Sequence, residues 1–205
     1  MSAVADVSGW MPRTEVGRMV REGKITDIDQ LFEMGKPILE PEIVDILLPN
    51  LEYEILELKT TQRVTDNGRK SKFRVVVLVG DGNGHVGVGV GKSDEVRPAI
   101  ENALRNAKKN IIKVETGCGS WECACGGKHS LPFTTTGKYG SVEVVLKPAP
   151  KGLGLACNRI NRKILGMAGV KDVWSFTRGH TCNVYNTAMA TITALKNLRR
   201  IKGGM

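Results

Sequence analysis

"GDGNGHVGVGVGKS", Gly80 to Ser93, is the stretch on which the fold turns. Two nucleotide-binding patterns overlap in it. Gly82, Gly84 and Gly87 fit G-x-G-x-x-G, and Gly91-Lys92-Ser93 has the ending of a phosphate-binding P-loop. The dinucleotide fingerprint must follow a strand and open a helix at once. "VVVLV", Val75 to Val79, supplies a β-branched strand upstream. Downstream, however, the run from His85 to Gly91 alternates with period two, which is the pattern of another strand. The P-loop pattern fails too, because the position that should hold its opening glycine is Val86. "GDGNG" therefore reads as a hairpin connection. Val86, Val88 and Val90 share one face and fill a core, while Gly87, Gly89 and Gly91 leave the other face bare, open to a helix backbone or an RNA strand.

Beyond this strand, Ser93 or Asp94 can cap a helix whose apolar stripe is Ala99, Ile100, Ala103, Leu104, Ala107 and Ile111. Arg105, Lys108 and Lys109 lie mostly off that stripe. Upstream, Lys59, Arg63, Arg69, Lys70, Lys72 and Arg74 face a single acid, Asp66, around "TDNG", whose Asn-Gly marks a hairpin turn. Six cations around one turn form an electrostatic footprint suited to phosphate. The result is a compact unit of strands, hairpins and a closing helix from about Leu51 to Val114.

The chain has 205 residues, enough for two small domains, and 41% of them are hydrophobic. Thirty Lys and Arg against 21 Asp and Glu give a formal charge of +9, a balance that points to nucleic acid. No apolar run approaches the roughly 20 residues of a membrane span, and no apolar h-region follows a basic start, so the expected location is cytoplasmic with no membrane partner. Charge also divides the chain. Pro37 to Leu58 holds no Lys or Arg but has Glu40, Glu42, Asp45, Glu52, Glu54 and Glu57, so it is not an RNA face. Ile43, Ile46, Leu47, Leu51, Ile55 and Leu58 predict an amphipathic helix interrupted near Pro49. In "KITDIDQLF", Thr26 or Asp27 caps a short helix, and residues 1–50 form an extension that docks on something.

At this point the residues resemble a known family. "FRVVVLVGDGNGHVGVGVGKSDEVRPAIENALRNAKKNI" and "GSVEVVLKPAPKGLGLACNRINRKILGMAGVKDVWSFTRG" are similar to the two signature regions of the small-subunit ribosomal protein S-five family, called S-two in eukaryotes. "GKITDIDQLFEMGKPILEPEIVDILLP" resembles the extension of its archaeal and eukaryotic members. The resemblance implies an α+β chain: a double-stranded-RNA-binding-like N-terminal domain at 51–115, a linker at 116–130, and a two-layer α/β C-terminal domain at 131–205. It implies a structural role in the small (30S) subunit, bound to its 16S rRNA near the decoding centre and the path by which mRNA enters. Proteins S-four and S-eight are the implied neighbours, with an influence on decoding accuracy. A free-standing RNA-binding regulator is the other reading.

The C-terminal half also reads from its residues. Val142, Val144 and Leu146 alternate in a strand ending at "KPAPKGLG", whose Lys147 and Lys151 suit a phosphate backbone. Ile160, Ile164, Leu165 and Ala168 predict a helix closed by Gly169, and Val173 to Arg178 alternates as another strand. A last helix buries Ala188, Ile192, Leu195 and Leu198 and exits through Lys196, Arg199, Arg200 and Lys202. The candidate RNA surface is thus Arg63, Arg69, Lys70, Lys72 and Arg74 of the hairpin, Asn83, Gly87, Gly89, Lys92, Arg105, Lys147 and Lys151. Catalysis is not indicated: Glu143 is the only acid between His129 and Lys171, and His85, His129 and His180 are scattered.

Cys118, Cys123, Cys125 and His129 cluster in a Gly-rich segment, and five cysteines in a reducing compartment favour a metal over disulfides. Thiolates and imidazole are ligands zinc prefers, and four of them close a tetrahedral site for one structural Zn(2+). The spacing C-x4-C-x-C-x3-H lacks C-x2-C pairs, so Cys157, Cys182 or His180 stands as a replacement ligand. The other reading is a loop ordered by rRNA, with Trp121 packed on a base or a neighbouring protein.

Overall fold

The computed structural model describes residues 10–123 and 125–199. The chain divides into two compact units, one built from the residues up to Val79 with Gly89–Ile111, the other from Gly80–Val88 and the residues from Ile112 onward. The fold is α+β, with one four-stranded sheet ordered β1 (Glu52–Thr65), β2 (Gly68–Gly80), β3 (His85–Ser93), β4 (Ile112–Lys113) and a second ordered β5 (Thr135–Tyr139), β6 (Val142–Pro148), β8 (Val173–Arg178), β7 (Leu155–Ala156).

Three short helices come first: α1 (Glu15–Arg21), α2 (Ile28–Glu33) and α3 (Pro41–Leu47). Asp27 is the N-cap residue of α2. Val16, Val20, Ile28, Leu31, Ile43 and Val44 of these helices are buried in one cluster with Val75, Val77, Val79, Ala99, Ala103 and Ala107. What the extension docks on is therefore the first unit itself. A half-buried ion pair, Lys108 Nζ to Asp45 Oδ1 at 2.5 Å, ties α3 to the helix that covers the sheet.

The helix expected across Pro49 ends before it. From Glu52 the chain is strand β1 (Glu52–Thr65), which turns at Asp66-Asn67 into β2 (Gly68–Gly80). The helical spacing of Leu51, Ile55 and Leu58 is overridden by a partner strand, a competition that local periodicity does not register. Gly68 has φ +116°, and no described non-glycine residue has positive φ, so the turn is centred on Asp66-Asn67 rather than on Asn-Gly in a I′ turn.

Strand β3 (His85–Ser93) precedes α4 (Val96–Lys109), and β4 (Ile112–Lys113) pairs antiparallel with β3, His85 opposite Lys113. Glu95 is the N-cap residue, one or two positions past the expected Ser93 or Asp94. The bare glycine face is resolved in favour of the helix. A Cβ at Gly89 would collide with the backbone of Ala103 and Ala107, and one at Gly91 with that of Ala99 and Ala103. Alanines at three successive turns of α4 and glycines on β3 together let two backbones touch.

The second unit repeats this device. Its sheet contains β5 (Thr135–Tyr139), β6 (Val142–Pro148), β7 (Leu155–Ala156) and β8 (Val173–Arg178), with helices α5 (Arg159–Met167) and α6 (Val184–Leu198). A Cβ at Gly137 of β5 would collide with the backbone of Ala190 and Ala194 on α6. Val142, Val144 and Leu146 alternate inward and are fully buried, as are Ala188, Leu195 and Leu198 of α6. Helix α5 closes at Gly169, φ +77°, with Gly169 N–H to Gly166 O and Val170 N–H to Leu165 O at 3.0 Å each, the Schellman arrangement. Arg200 and Lys202 of the expected basic exit lie outside the described residues. Among the described residues no helix is long and apolar enough to cross a membrane.

Candidate metal centre and nucleic-acid interface

The loop between β2 and β3 holds no phosphate cradle. Asp81 Oδ1 accepts from the amides of Asn83 at 2.8 Å and His85 at 3.0 Å, and Asp81 Oδ2 lies 2.6 Å from His85 Nδ1. Gly82 N–H donates to Met167 O at 2.9 Å. The amides that would bind an anion are already taken, and a carboxylate occupies the centre of the loop. Burial pushes the Asp81 carboxyl up, but the His85 ring and the two amides outweigh it and hold its pKa below the ordinary carboxylate value.

The cysteine segment converges instead. The ligand atoms of Cys118, Cys123, Cys125 and His129 all lie within 4.8 Å of one another. Cys125 Sγ is 3.5 Å from Cys118 Sγ and 3.1 Å from His129 Nε2, and Cys123 Sγ is 3.7 Å from the same nitrogen. A tetrahedron with Zn–S of about 2.3 Å and Zn–N of about 2.0–2.1 Å has edges of about 3.5–3.8 Å, so the group can hold a metal ion of that size. Cys157, His180 and Cys182 are not part of the group.

Two of the thiols are shifted in opposite directions. Hydrogen bonds from the Cys125 thiol and from the amides of Lys151 and Cys125 lower the Cys123 thiol to about 6. Burial, followed by hydrogen bonding with Cys125, pushes Cys118 up to about 11. A metal ion binding here would displace the Cys118 proton, so its binding would release protons and depend on pH.

Behind His129 stands a residue that the sequence pattern did not reveal. His129 Nδ1 lies 2.8 Å from Asp172 Oδ2, which leaves Nε2 facing the three sulfurs. Asp172 Oδ1 accepts from Gly152 N–H at 3.1 Å and Gly154 N–H at 2.8 Å. Ser130 Oγ donates to Asp172 O at 2.5 Å and accepts from Ala149 N–H at 3.0 Å. Burial raises the Asp172 pKa, but the Gly154 amide, the His129 ring and the Gly152 amide lower it further, and the net shift is downward. This carboxylate–imidazole pair is the usual support of a metal-bound histidine. Asp172 is 43 residues away in sequence, and the amides of Lys171 and Asp172, both donating to His129 O, bring it near.

Exposed basic residues occur in both units. In the first unit, Arg63, Arg69, Lys70 and Lys72 are exposed along β1 and β2, Arg74 is half-buried, and Lys92 and Arg105 are exposed on β3 and α4. Lys72 Nζ lies 3.4 Å from Asp94 Oδ1, with side chains 59% and 79% exposed, a contact too solvated to neutralise the hairpin. In the second unit, Asn83, Lys147 and Lys151 are exposed. Gly87 and Gly89 are both buried, and a Cβ at Gly89 would meet the backbone of Ala103 and Ala107, so at Gly89 the open face is taken by α4 rather than left for an RNA strand.

Residues 51–115 match the family described as ribosomal protein S5, N-terminal domain, and residues 137–203 match ribosomal protein S5, C-terminal domain. The chain belongs to the ribosomal protein S5 family. It is 55% identical over 195 residues to small ribosomal subunit protein uS5 of Aeropyrum pernix, covering 95% of this chain and 89% of that protein. It is 54% identical over 193 residues to the uS5 protein of Methanocaldococcus jannaschii, covering 94% and 89%, and 57% identical over 188 residues to that of Staphylothermus marinus, covering 92% and 88%. This S5 family member is of the archaeal type, and its role is structural rather than enzymatic. The metal-ligand group falls between the two S5 matches, in residues 116–136.

Proposed function

We propose that the chain is a structural constituent of the small ribosomal subunit that clamps folded rRNA through phosphate and 2′-hydroxyl contacts, with shape supplying most of the recognition. The observation that carries this reading is the β1–β2 hairpin, whose exposed Arg63, Arg69, Lys70 and Lys72 project cations from a chain of net charge +9 in a family named for the small subunit. Lys92, Arg105, Lys147, Lys151 and Asn83 are further exposed candidates for backbone contact. The subunit's decoding centre and the path by which mRNA enters are the expected surroundings, with S-four and S-eight as neighbours. Replacing Lys70 and Lys72 by alanine weakens assembly or raises misreading without unfolding the protein. Normal incorporation with unchanged misreading would remove the hairpin from this role.

Cys118, Cys123, Cys125 and His129 hold one structural zinc ion in this reading. Zinc suits three sulfurs and one imidazole better than magnesium or calcium, which take oxygen ligands. The metal supplies order to a Gly-rich segment with little apolar content to bury. Metal analysis of the purified chain tests this: one zinc per chain, lost in Cys123→Ser, is expected. A metal-free wild-type chain would overturn it.

A further inference from the structure

The sheet of the second unit carries helices on one face only. On the other, strand register aligns Lys138, Glu143 and Arg178 in one row, Thr136, Val145 and Phe176 in the next, and Lys147, Trp174 and Ala156 in a third. The inward neighbours Val142, Val144, Leu146 and Val173 are fully buried, so these rows point outward. Trp174 is 43% exposed and Phe176 49%, and Lys147 Nζ sits 5.2 Å from the centroid of the Phe176 ring. Beside them Trp121, 92% exposed, stands between Cys118 and Cys123 on the metal-ligand loop. Trp121, Glu122, Lys147, Pro148, Trp174 and Phe176 line a cleft of about 390 Å³, within the roughly 300–1,000 Å³ of ligand pockets.

We propose that this cleft binds an unpaired rRNA nucleotide, its base stacked on Trp174 and Phe176 with Trp121 closing over it, and its phosphate held by Lys147. The inference rests on the rRNA-binding reading above and extends it from duplex backbone to a single-stranded base. The composition of the face selects this occupant. Protein-docking patches are depleted of lysine at their centre, whereas here a lysine lies over the central ring. The face has one large aliphatic side chain, Val145, and its rings are flanked by Lys138, Lys147 and Arg178 against Glu143 and Glu122. Aromatic planes on an open sheet face with cations at the edge are the means by which sheet proteins hold single-stranded RNA.

The test is fluorescence anisotropy of labelled hexauridylate and hexaadenylate with the full chain. Stacking contributes about 1–3 kcal/mol per base, so the Trp174→Ala/Phe176→Ala variant should weaken binding by about 5- to 150-fold. Its affinity for a double-stranded RNA should be unchanged, while Lys70→Ala/Lys72→Ala should do the reverse. Duplex binding without any hexamer binding, or hexamer binding that ignores Trp174 and Phe176, would overturn the cleft and leave the rRNA reading standing. Binding of neither RNA would overturn both. In assembled subunits, a photoreactive group at position 174 should crosslink to a nucleotide, and a crosslink to protein alone would refute the assignment.

Discussion

Replacing Gly89 by alanine puts a methyl group into the main chain of α4. The added Cβ would collide with the backbone of Ala103 and Ala107 and would lie 2.7 Å from Ala107 Cα. The obstacle is a helix backbone and not the end of a flexible side chain, so relief requires moving α4 off the sheet and loosening Ala99, Ala103 and Ala107, all fully buried. Overpacking of this kind costs about 1–3 kcal/mol, with a backbone collision at the upper end. Loss of glycine's freedom in the unfolded chain returns about 0.5–1 kcal/mol. The net expectation is a destabilisation of about 2 kcal/mol, or about 30-fold in the folding equilibrium. Gly166 supplies the control. It lies in α5, and a Cβ there meets nothing within 4 Å, so Gly166→Ala should stabilise by about 0.5–1 kcal/mol. Urea denaturation followed by circular dichroism reads both. A Gly89→Ala midpoint at or above that of the unmodified chain would refute the backbone contact between β3 and α4.

Asp172→Asn should weaken zinc retention about 10- to 100-fold in competition with a chelator, while Cys157→Ser and Cys182→Ser leave it unchanged. In duplex RNA binding, Lys70→Ala/Lys72→Ala should lower the slope of log affinity against log salt by about 2, one for each lost phosphate contact. Asp81 sets an acid limb of stability. Its folded pKa is below the unfolded value of about 3.9, so the unfolded state binds more protons in that window, and stability rises with pH through it and then levels. Asp81→Asn should therefore flatten the acid side of a stability–pH curve and lower the plateau near neutrality.

The elements that were legible are those whose signal is local. Val75–Val79 and the alternation from His85 onward gave β2 and β3, and the apolar stripe from Ala99 to Ile111 gave α4. Gly169 marked the end of α5 because a left-handed cap favours glycine. What failed depended on distant partners. The chain from Glu52 carries a helical spacing but becomes a strand because β2 pairs with it. Gly89 and Gly91 were open to RNA or a helix on sequence alone, and only the position of the alanines on α4 decided between them. The four metal ligands were readable from residue type and proximity. Asp172 was not, since no short pattern links it to His129, and the aromatic rows emerge only from the register of β6 with β8.

The most direct test is sedimentation of an affinity-tagged chain from cells through a sucrose gradient after a high-salt wash. One chain per small subunit, migrating with the 16S rRNA and retained through the wash, is expected. A chain stripped from the particle by salt and left at the top of the gradient would contradict a structural place in the subunit.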